Sequence, residues 1–396
     1  MQQSVQQVKK DVSLYSESLS ILDPKQRAWI EVDGQSIENN VRKIRSILKP
    51  NCQFMAVVKA DGYGHDALFV SKSAIKGGAD QLGVATLQEG INLREAGITI
   101  PILVLGNIYD EQDLFTCFKY KLMPTISNFR ECLVCNNIGK KYKEKYKIHL
   151  KVDSGMSRLG FEIDSFIAKF KQIESLENTQ IEGIYSHFSS ADEDNIKDKS
   201  CFTIFQHNRF KDLLNNLTSN KLIKIHLANS AATFLSKEFH YDMVRVGLAM
   251  YGYNPTKESE NLITLEPALL LKSKISFIRT IDKNIRVSYG GQFITKRKTK
   301  LAVISIGYAD GVNRKLSNQI NIIHGGKTYP QVGAITMDQL MVDITESDNI
   351  KVGDTVILLG SEGDSSISPV EWAHKSLSIT WEILCGFKNR LPRVQV

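Results

Sequence analysis

Long apolar runs are absent from this sequence, and so are the patterns that place a protein in a membrane or on a nucleic acid. No stretch of the 396 residues stays apolar over the length that a bilayer span needs. The first residues, MQQSVQQVKKDVSLYSES, lack the apolar segment of a secretion signal. The chain has no zinc-finger spacing, no aromatic-basic RNA motif and no charged tail, and a formal charge of +7 is mild for its length. These absences predict a cytoplasmic protein with no membrane or nucleic-acid partner.

Cysteine is also sparse, with six residues scattered along the chain. Only Cys132 and Cys135 have the CxxC spacing of a metal or redox site, and no second pair completes a set of metal ligands. Both lie in a helix-like segment, NFRECLVCNNIGKK, where buried thiols act as small apolar side chains. We therefore expect two buried thiols there, with no metal site and no disulfide framework.

A regular alternation of short apolar runs and helix-length amphipathic segments follows a polar extension at residues 1–26. This rhythm predicts a (β/α)8 TIM-like barrel over residues 27–266. Its first segment, at 27–33, precedes the rhythm and is a candidate to pack on a second domain instead. A doubly wound open sheet is the alternative, weakened because no GxGxxG turn follows the first strand. The eight apolar runs are FMAVV, QLGVA, PILVL, LMPTI, IHLKV, IEGIYS, IKIHL and MVRVG.

The pattern changes after about residue 266. Short β-rich runs separated by turn residues, such as LLLKSKISFIRTI, LAVISIGYADG and QLMVDI, replace the helical patterning until PVEWAHKSL. This change predicts a separate C-terminal all-β domain over residues 267–396.

Polar residues follow most of the predicted barrel strands at the points where the strands end. In a barrel of this class the carboxyl ends of the strands carry the functional residues, and a purely structural barrel would not need such a rim. The rim residues are Lys59 at the first of the eight strands, Lys151 and Arg158 at the fifth, His187 at the sixth, His226, Asn229 and Ser230 at the seventh, and Arg245 and Gly247 at the eighth.

Two of these strand ends together suggest an anion site. Ser230 precedes an Ala-rich helix and is predicted to cap it, so that its hydroxyl and the free amides of the helix end can bind phosphate. Gly247 allows backbone amides to approach closely, and barrels often bind phosphate with the loops after strands seven and eight. A lysine, Lys59, lies across the rim. A phosphorylated aldehyde that forms a Schiff base with lysine satisfies both features, and pyridoxal phosphate is the obvious candidate.

Eight motifs, in order, carry a resemblance to a known family. The chain resembles the alanine racemases, pyridoxal-phosphate enzymes built from a barrel and a β-domain, from about residue 27 to the C-terminus. Each motif alone is modest, but eight in order are highly specific. They are AVVKADGYGH, KVDSGMSRLGF, YSHFSSAD, ANSAA, MVRVGLAMYG, VSYGG, SIGYADG and ITMDQLMVD.

The resemblance implies a two-base racemisation of alanine that supplies D-alanine for peptidoglycan. Lys59 resembles the Schiff-base lysine and the base on one face of the α-carbon, and Tyr289 resembles the base on the other face. In the family this tyrosine reaches the site of the partner subunit, so the resemblance implies a homodimer. A surface tyrosine in a Gly-rich hairpin is the plain alternative for Tyr289.

The resemblance also implies roles for the remaining site residues. Tyr63, Asn229, Ser230, Gly247 and Leu248 would hold the cofactor, chiefly its phosphate. Arg245 would face the pyridine nitrogen and leave it unprotonated, which limits side reactions such as transamination, and His187 would lie behind Arg245. Arg158 would hold the substrate carboxylate, steadied by Lys151 if that lysine is carbamylated. Met337, Asp338 and Tyr308 would line the substrate entrance.

Plain alternatives stay open for several of these residues. Tyr63 also fits a packed loop aromatic, His187 a core histidine, and Lys151 a lysine that pairs with Asp153 or faces solvent. The motifs of Tyr308 and Met337 also read as ordinary hairpin turns.

One position departs from the family pattern. Family members commonly have a phosphate-contacting tyrosine before R-x-P-R near the C-terminus, and here Asn389 precedes RLPR. The smaller side chain is compatible with three consequences: a looser entrance, weaker cofactor binding, or a broader substrate range that includes serine. A barrel-type pyridoxal-phosphate decarboxylase and a non-catalytic pyridoxal-phosphate carrier are two further functions that a barrel holding this cofactor could have.

Overall fold

The computed structural model of the chain describes residue 23 and residues 25–219, 222–256 and 258–396. Most of the predicted polar extension, residues 1–26, lies outside the described residues. The chain forms two compact units, and each is described by itself. The first comprises Val32–Leu269 with Gln395–Val396, and the second comprises the described residues up to Glu31 with Leu270–Val394.

The first unit is built on eight parallel strands. The strands between residues 28 and 246, of which β1 belongs to the sheet of the second unit, are β1 (Ala28–Val32), β2 (Gln53–Val57), β3 (Gln81–Val84), β4 (Ile102–Asn107), β5 (Met123–Ile126), β6 (Tyr146–Asp153), β7 (Phe161–Glu162), β8 (Thr179–Tyr185), β9 (Lys224–His226) and β10 (Met243–Val246). The barrel order is β10-β2-β3-β4-β5-β6-β8-β9, and the short β7 pairs with β6. The amide of Asp242 donates to Ile225 O at 2.9 Å, and that of Arg245 donates to Ala228 O at 3.0 Å. These bonds nearly close the ring, so the predicted barrel is confirmed and the open-sheet alternative is wrong.

Helices follow most barrel strands and cover the outside of the ring. They are α1 (Gly34–Ile47), α2 (Ala67–Gly77), α3 (Leu87–Glu95), α4 (Glu111–Lys119), α5 (Phe129–Tyr142), α6 (Ile163–Glu174), α7 (Phe202–Asn215) and α8 (Ser230–Leu235). Several begin at an Asp, Thr or Asn whose side chain accepts from the free amides of the first turn, as at Asp33, Thr86 and Asn128. Because the strands are covered outside and packed inside, most of their residues are buried. A cluster of Met55, Leu103, Met123, Tyr185 and Met243 fills the interior.

The second unit is built on a nine-stranded sheet of the order β19-β18-β15-β16-β17-β14-β11-β1-β20, with a separate β12–β13 hairpin. The pairings along β11, β14, β15, β16, β17 and β18 are antiparallel. The strand β1, from the predicted segment at 27–33, lies in this sheet and not in the barrel. The elements are β11 (Leu269–Ile281), β12 (Arg286–Val287), β13 (Phe293–Ile294), β14 (Thr299–Ile304), β15 (Asn321–His324), β16 (Lys327–Val332), β17 (Leu340–Asp343), β18 (Thr355–Glu362), β19 (Ser365–Ile367), α9 (Pro369–Ser376), α10 (Thr380–Cys385) and β20 (Arg393–Gln395).

The cysteines of the CxxC motif are buried in α5, as predicted. Cys132 and Cys135 have no exposed surface and are free thiols. Burial raises the pKa of both thiols well above its ordinary value, so they stay protonated and unreactive. Within the described part of the chain, no helix has the length and apolar character to cross a membrane.

Candidate active site

The barrel brings five basic side chains of the predicted rim to one end. Parallel strands place their carboxyl ends on the same side of a barrel. We call Lys59, Lys151, Arg158, His187 and Arg245 the basic cluster. Burial lowers the pKa of His187 well below its ordinary value, and the charges of Arg245, Lys151, Arg158 and Lys59, in that order, lower it further. Four cations therefore act on one imidazole, and such a concentration of positive charge favours an anionic ligand.

Arg245 is almost fully buried, at 3% exposure, and its guanidinium is held by histidines and carbonyls. Its terminal nitrogens lie 2.8 Å from Nδ1 of His187 and 3.1 Å from Nδ1 of His226, and they donate to Ser186 O and Leu227 O at 2.8 and 3.1 Å. Because a guanidinium can only donate, both imidazoles accept at Nδ1 and carry their proton on Nε2. Burial lowers the pKa of Arg245 to about 10, which leaves it charged at neutral pH.

An aromatic residue lies beneath the guanidinium. The ring of Tyr185 stacks on His226 with centroids 4.6 Å apart, and the guanidinium carbon of Arg245 lies 5.1 Å from the Tyr185 centroid. Nε2 of His226 lies 3.0 Å from Nδ1 of His149, so the hydrogen-bonded chain extends into the barrel core. Sequence reasoning placed His226 at a strand end without a role and missed Tyr185 and His149. Alternation along β6 and β8 indicates inward-facing residues but not which of them contact each other.

Lys151 is buried at 6% exposure, so the solvent-facing alternative is wrong. Burial lowers its pKa to about 8, and the charges of Arg245 and Arg158 contribute to the shift. Arg158 is exposed, on a loop that is ordered by Asp153. The Asp153 carboxylate accepts from the amides of Gly155 and Ser157 at 2.8 and 3.1 Å.

The chain turns with the opposite hand directly after Lys59. Over Lys59–Gly64, residues Ala60, Asp61, Gly62 and Tyr63 have φ between 52° and 60° and ψ between 41° and 51°. This left-handed conformation costs about 1–2 kcal/mol for each residue that carries a Cβ. The turn presents Tyr63 to the barrel, where its ring stacks on Tyr251 with centroids 4.9 Å apart. Tyr63 is only 6% exposed.

The predicted phosphate site is assembled differently from the expectation. Asn229, not Ser230, caps α8, because its side chain accepts from Ala232 N at 3.0 Å. Ser230 is the first residue of the helix, and its hydroxyl accepts from Gly247 N at 2.9 Å. The prediction that Ser230 caps the helix is therefore wrong. The cause is backbone geometry: the extended residue before a helix provides the cap, and that residue is Asn229.

Gly247 and Tyr63 form a close approach on this side of the barrel. A Cβ at position 247 would lie 2.5 Å from the Tyr63 hydroxyl oxygen, so only glycine fits. The buried Leu248 follows and begins a short 3₁₀ turn, Leu248–Tyr251. The hydroxyls of Tyr63 and Ser230 thus converge with the backbone at Gly247 in a cradle beside an excess of positive charge and an amine. This donor set fits a phosphorylated aldehyde such as pyridoxal phosphate.

The second unit brings the other predicted residues together. We call Tyr289, Tyr308, Met337, Asp338 and Asn389 the entrance cluster. Amides of the 308–310 turn donate to Thr336 O and Met337 O at 3.0 Å each, so the two motifs are adjacent. Tyr289, 71% exposed, and Tyr308, 40% exposed, line one pocket of about 570 Å³.

A buried carboxylate ties the entrance cluster to the start of the sheet. Asp310 has no exposed surface and pairs with Arg27, whose NH1 donates to its Oδ2 at 2.9 Å. Nε of Arg390 lies 3.6 Å from the same carboxylate, and its NH2 donates to Asp338 Oδ1 at 2.7 Å. Asn389 precedes Arg390 and is exposed. Sequence reasoning missed Asp310, although the GYADG motif contains it.

Comparison with known proteins matches both units. Residues 32–255 match the family model "Alanine racemase, N-terminal domain", and residues 268–395 match "Alanine racemase, C-terminal domain". The chain is 49% identical over 379 residues to the alanine racemase of Prochlorococcus marinus, which covers 96% of this chain and 98% of that protein.

Solved structures agree with these matches. An alanine racemase of Clostridium difficile 630 superposes with a TM-score of 0.86 at 34% identity, covering 93% of this chain and 96% of that one. An alanine racemase of Bartonella henselae with covalently bound pyridoxal phosphate superposes with a TM-score of 0.83 at 28% identity, covering 93% and 99%.

Proposed function

The chain belongs to the alanine racemase family, and we propose that it moves the α-proton of alanine between Lys59 of one subunit and Tyr289 of another. The activity is the interconversion of L-alanine and D-alanine with pyridoxal phosphate as cofactor. When bound, this cofactor supplies an aldehyde that an amine can capture and a ring that withdraws electrons from the α-carbon. The decarboxylase and carrier alternatives are wrong, because both racemase domains match.

The observation that carries the assignment of residues is the convergence of the basic cluster on the end of the barrel that holds Lys59. Four cations act on His187 there, and the cradle of Tyr63, Ser230 and Gly247 lies at the same end. An anionic cofactor offsets the mutual repulsion of these cations. In this proposal Tyr63, Asn229, Ser230, Gly247 and Leu248 would hold the phosphate region, and the Lys59 amine would be the group that captures the aldehyde.

Arg245 and its histidines define the electronic environment of the ring. In this proposal Arg245 faces the pyridine nitrogen. With a pKa of about 10, the charged guanidinium is too weak an acid to give a proton to a pyridine nitrogen, so that nitrogen would stay unprotonated. Arg245 would thereby leave the ring a weaker electron acceptor than a protonated ring, which disfavours transamination.

Arg158 and Lys151 are proposed to receive the substrate carboxylate and to orient it. Arg158 is exposed and therefore accessible to substrate, whereas Lys151 is buried beside it. A neutral lysine amine reacts with carbon dioxide, and the lowered pKa of Lys151, about 8, makes this form available near neutral pH. Carbamylated Lys151 would add a negative charge that holds Arg158 in place.

Racemisation needs a second base on the face of the α-carbon opposite Lys59. Tyr289 is proposed for this role, acting in the site of a partner subunit. Its phenol is 71% exposed and lines a pocket with Tyr308, so it is accessible to a second copy. The entrance cluster, including Met337, Asp338 and Asn389, would then line the path to the partner's cofactor. We propose a homodimer that acts in the cytoplasm and supplies D-alanine for peptidoglycan.

The reaction is tested by incubating the protein, loaded with pyridoxal phosphate, with L-alanine in heavy water. D-alanine is followed by chiral chromatography and α-deuterium by mass spectrometry. D-alanine that carries α-deuterium is the expected product. Deuterium in L-alanine alone would show one working base and contradict the role of the second. If D-alanine and α-deuterium are both absent, alanine is excluded as the substrate.

The shared site is tested by mixing two inactive variants, Lys59→Ala and Tyr289→Phe. If each site takes its lysine and its tyrosine from different subunits, a mixed dimer has one intact site and one doubly defective site. Refolding an equal mixture should then restore about a quarter of the wild-type activity, because about half of the dimers are mixed. The Lys59→Ala variant mixed with itself is the control. No recovery, in a mixture that contains mixed dimers by native mass spectrometry, would contradict the shared site.

A further inference from the structure

The carboxylate of Glu89 joins the ends of two neighbouring barrel strands. Glu89 lies in the first turn of α3, and its Oε1 accepts from Ala60 N at 2.7 Å. Its Oε2 accepts from Ala85 N at 2.7 Å and from Thr86 N at 3.2 Å. Ala85 directly follows β3, and Ala60 directly follows Lys59. Three backbone amides from two strand ends therefore converge on one carboxylate.

The amide of Ala60 is the first in the left-handed turn. Ala60, Asp61 and Tyr63 all carry a Cβ in a conformation that disfavours one. Such a turn persists only where its surroundings impose it. Asp61 accepts from Ala67 N at 3.0 Å, Val58 O accepts from Gly62 N at 2.9 Å, and Glu89 binds the turn where it leaves Lys59.

We infer that Glu89 is a positioning residue for the active site: it holds the left-handed turn and thereby fixes Lys59 relative to Tyr63. The two residues are the ends of this turn, and the proposed function, on which this inference rests, assigns them to the aldehyde and the phosphate of one rigid cofactor. Relaxation of the turn would change the distance between Lys59, proposed to contact the aldehyde, and Tyr63, proposed to contact the phosphate. Glu89 itself acts on backbone amides, so its effect reaches the cofactor through Lys59 and Tyr63.

A plain capping role is the competing explanation for Glu89. Thr86 and Glu89 form a capping box, in which the Thr86 hydroxyl accepts from Glu89 N at 3.2 Å. A cap stabilises α3 without any effect on the turn after Lys59. The chain offers a matched control, because Thr86→Ala removes the hydroxyl that accepts from Glu89 N. It retains the Glu89 carboxylate that accepts from Ala60 N.

The experiment compares Glu89→Gln, Glu89→Ala and Thr86→Ala with the wild-type chain. Glu89→Gln keeps the shape of the side chain but has one acceptor oxygen, so it can satisfy Ala60 N or Ala85 N but not both. Gln88→Ala, on the same helix, removes an exposed amide that donates to Asn92 and serves as a second control. Folding is checked by circular dichroism and thermal unfolding.

Three measurements follow, and none of them needs turnover of substrate. Hydrogen exchange of the cofactor-free protein reports on residues 58–66, and titration with pyridoxal phosphate gives its dissociation constant. The third is the pH midpoint of the absorbance of lysine-linked cofactor. We expect Glu89→Ala to accelerate exchange in 58–66, to raise the dissociation constant about tenfold and to shift the midpoint, because charge-assisted hydrogen bonds are lost. Glu89→Gln should lie between Glu89→Ala and the wild type.

Thr86→Ala and Gln88→Ala should leave all three measurements within about twofold of the wild type, whatever they do to thermal stability. Glu89 variants that behave like Thr86→Ala would overturn the inference. Borohydride reduction of the wild type and peptide mapping separate this failure from that of the proposed function. Attachment at Lys59 leaves the proposed function standing when the inference fails, whereas attachment at another lysine contradicts both.

Discussion

Nδ1 of His226 lies 3.1 Å from a terminal nitrogen of Arg245, and Nε2 of the same ring lies 3.0 Å from Nδ1 of His149. The direction of both bonds follows from arginine, which has protons to donate and no lone pair to accept one. His226 therefore accepts from Arg245 and donates to His149, and it is neutral. Burial lowers the pKa of both histidines, that of His149 to about 3, and the charge of Arg245 adds to each shift.

We expect His149, His187 and His226 to remain neutral across the physiological pH range. Their folded pKa values lie below the ordinary value of about 6.5, so the unfolded chain binds more protons in acid. These residues therefore reduce stability as the pH falls below about 6.5 and have no effect above it. Nitrogen NMR of labelled histidine measures both charge and tautomer. The partly exposed His324, which lies beside Asp354, is an internal comparison, and titration of His226 near pH 6.5 would contradict the assignment.

Replacement of Lys151 by methionine should stabilise the cofactor-free protein at neutral pH. The pKa falls from 10.5 to about 8 on folding, so the folded state resists protonation of this amine and the penalty below pH 8 is roughly 3 kcal/mol. The penalty shrinks as the pH rises from 8 to 10.5 and is absent above that range. Urea unfolding in bicarbonate-free buffer at several pH values measures the difference between the variant and the wild type.

The exposed Lys145 provides the control for the unfolding measurements on Lys151→Met. Lys145→Met should change the unfolding free energy by less than about 0.5 kcal/mol at neutral pH. An equal gain from both replacements would mean that lost charge in general, and not burial of Lys151, is responsible.

Tyr289→Phe should retain the absorbance of lysine-linked cofactor and lose at least about a hundredfold in turnover. The reason is that the substitution removes the only proton-transferring atom of this side chain while keeping its ring. In heavy water the variant should still exchange the α-proton of one alanine enantiomer. Tyr308→Phe, in the same pocket, is the matched change, and equal activity of Tyr289→Phe and the wild type would remove Tyr289 from the mechanism.

Asn389→Tyr should narrow the substrate range. Asn389 is exposed at the position where family members commonly have a tyrosine, so a larger side chain can be accommodated and would occupy part of the entrance. We expect kcat/KM for serine to fall about tenfold relative to alanine, the size typical of a steric change in a pocket. Competing assays with both amino acids give this ratio directly. An unchanged ratio would show that position 389 does not contribute to selectivity.

Asp310→Asn should destabilise the second unit by about 2 kcal/mol. The substitution removes a fully buried charge that pairs with Arg27 and accepts from Gly307 N at 3.0 Å. Its partners are partly exposed, so the loss is smaller than for a fully buried pair. Urea unfolding measures it, with Asp338→Asn as the control, since that exposed pair with Arg390 should contribute less than about 0.5 kcal/mol. An equal loss of unfolding free energy in Asp310→Asn and Asp338→Asn would contradict the expected contribution of the buried Asp310 pair.

The barrel strands could be recognised from local sequence because their signals lie within a few residues. Runs such as FMAVV and PILVL are apolar throughout, which reflects burial on both faces of a parallel sheet, and β2 and β4 occupy these positions. The rim followed from the same reasoning, since a residue after a parallel strand must lie at the carboxyl edge. Lys59, His187 and Arg245 were found in this way.

The tertiary structure decided every relationship between residues that are distant in the chain. Sequence does not show that Asn229 is the extended residue and therefore the cap, so Ser230 was misassigned. Nor does it reveal that Glu89 contacts Ala60 N across two strand ends, or that His226 lies between Arg245 and His149. Local patterning records which faces are buried, whereas the partner of a buried polar group depends on how strands far apart in the chain are brought together.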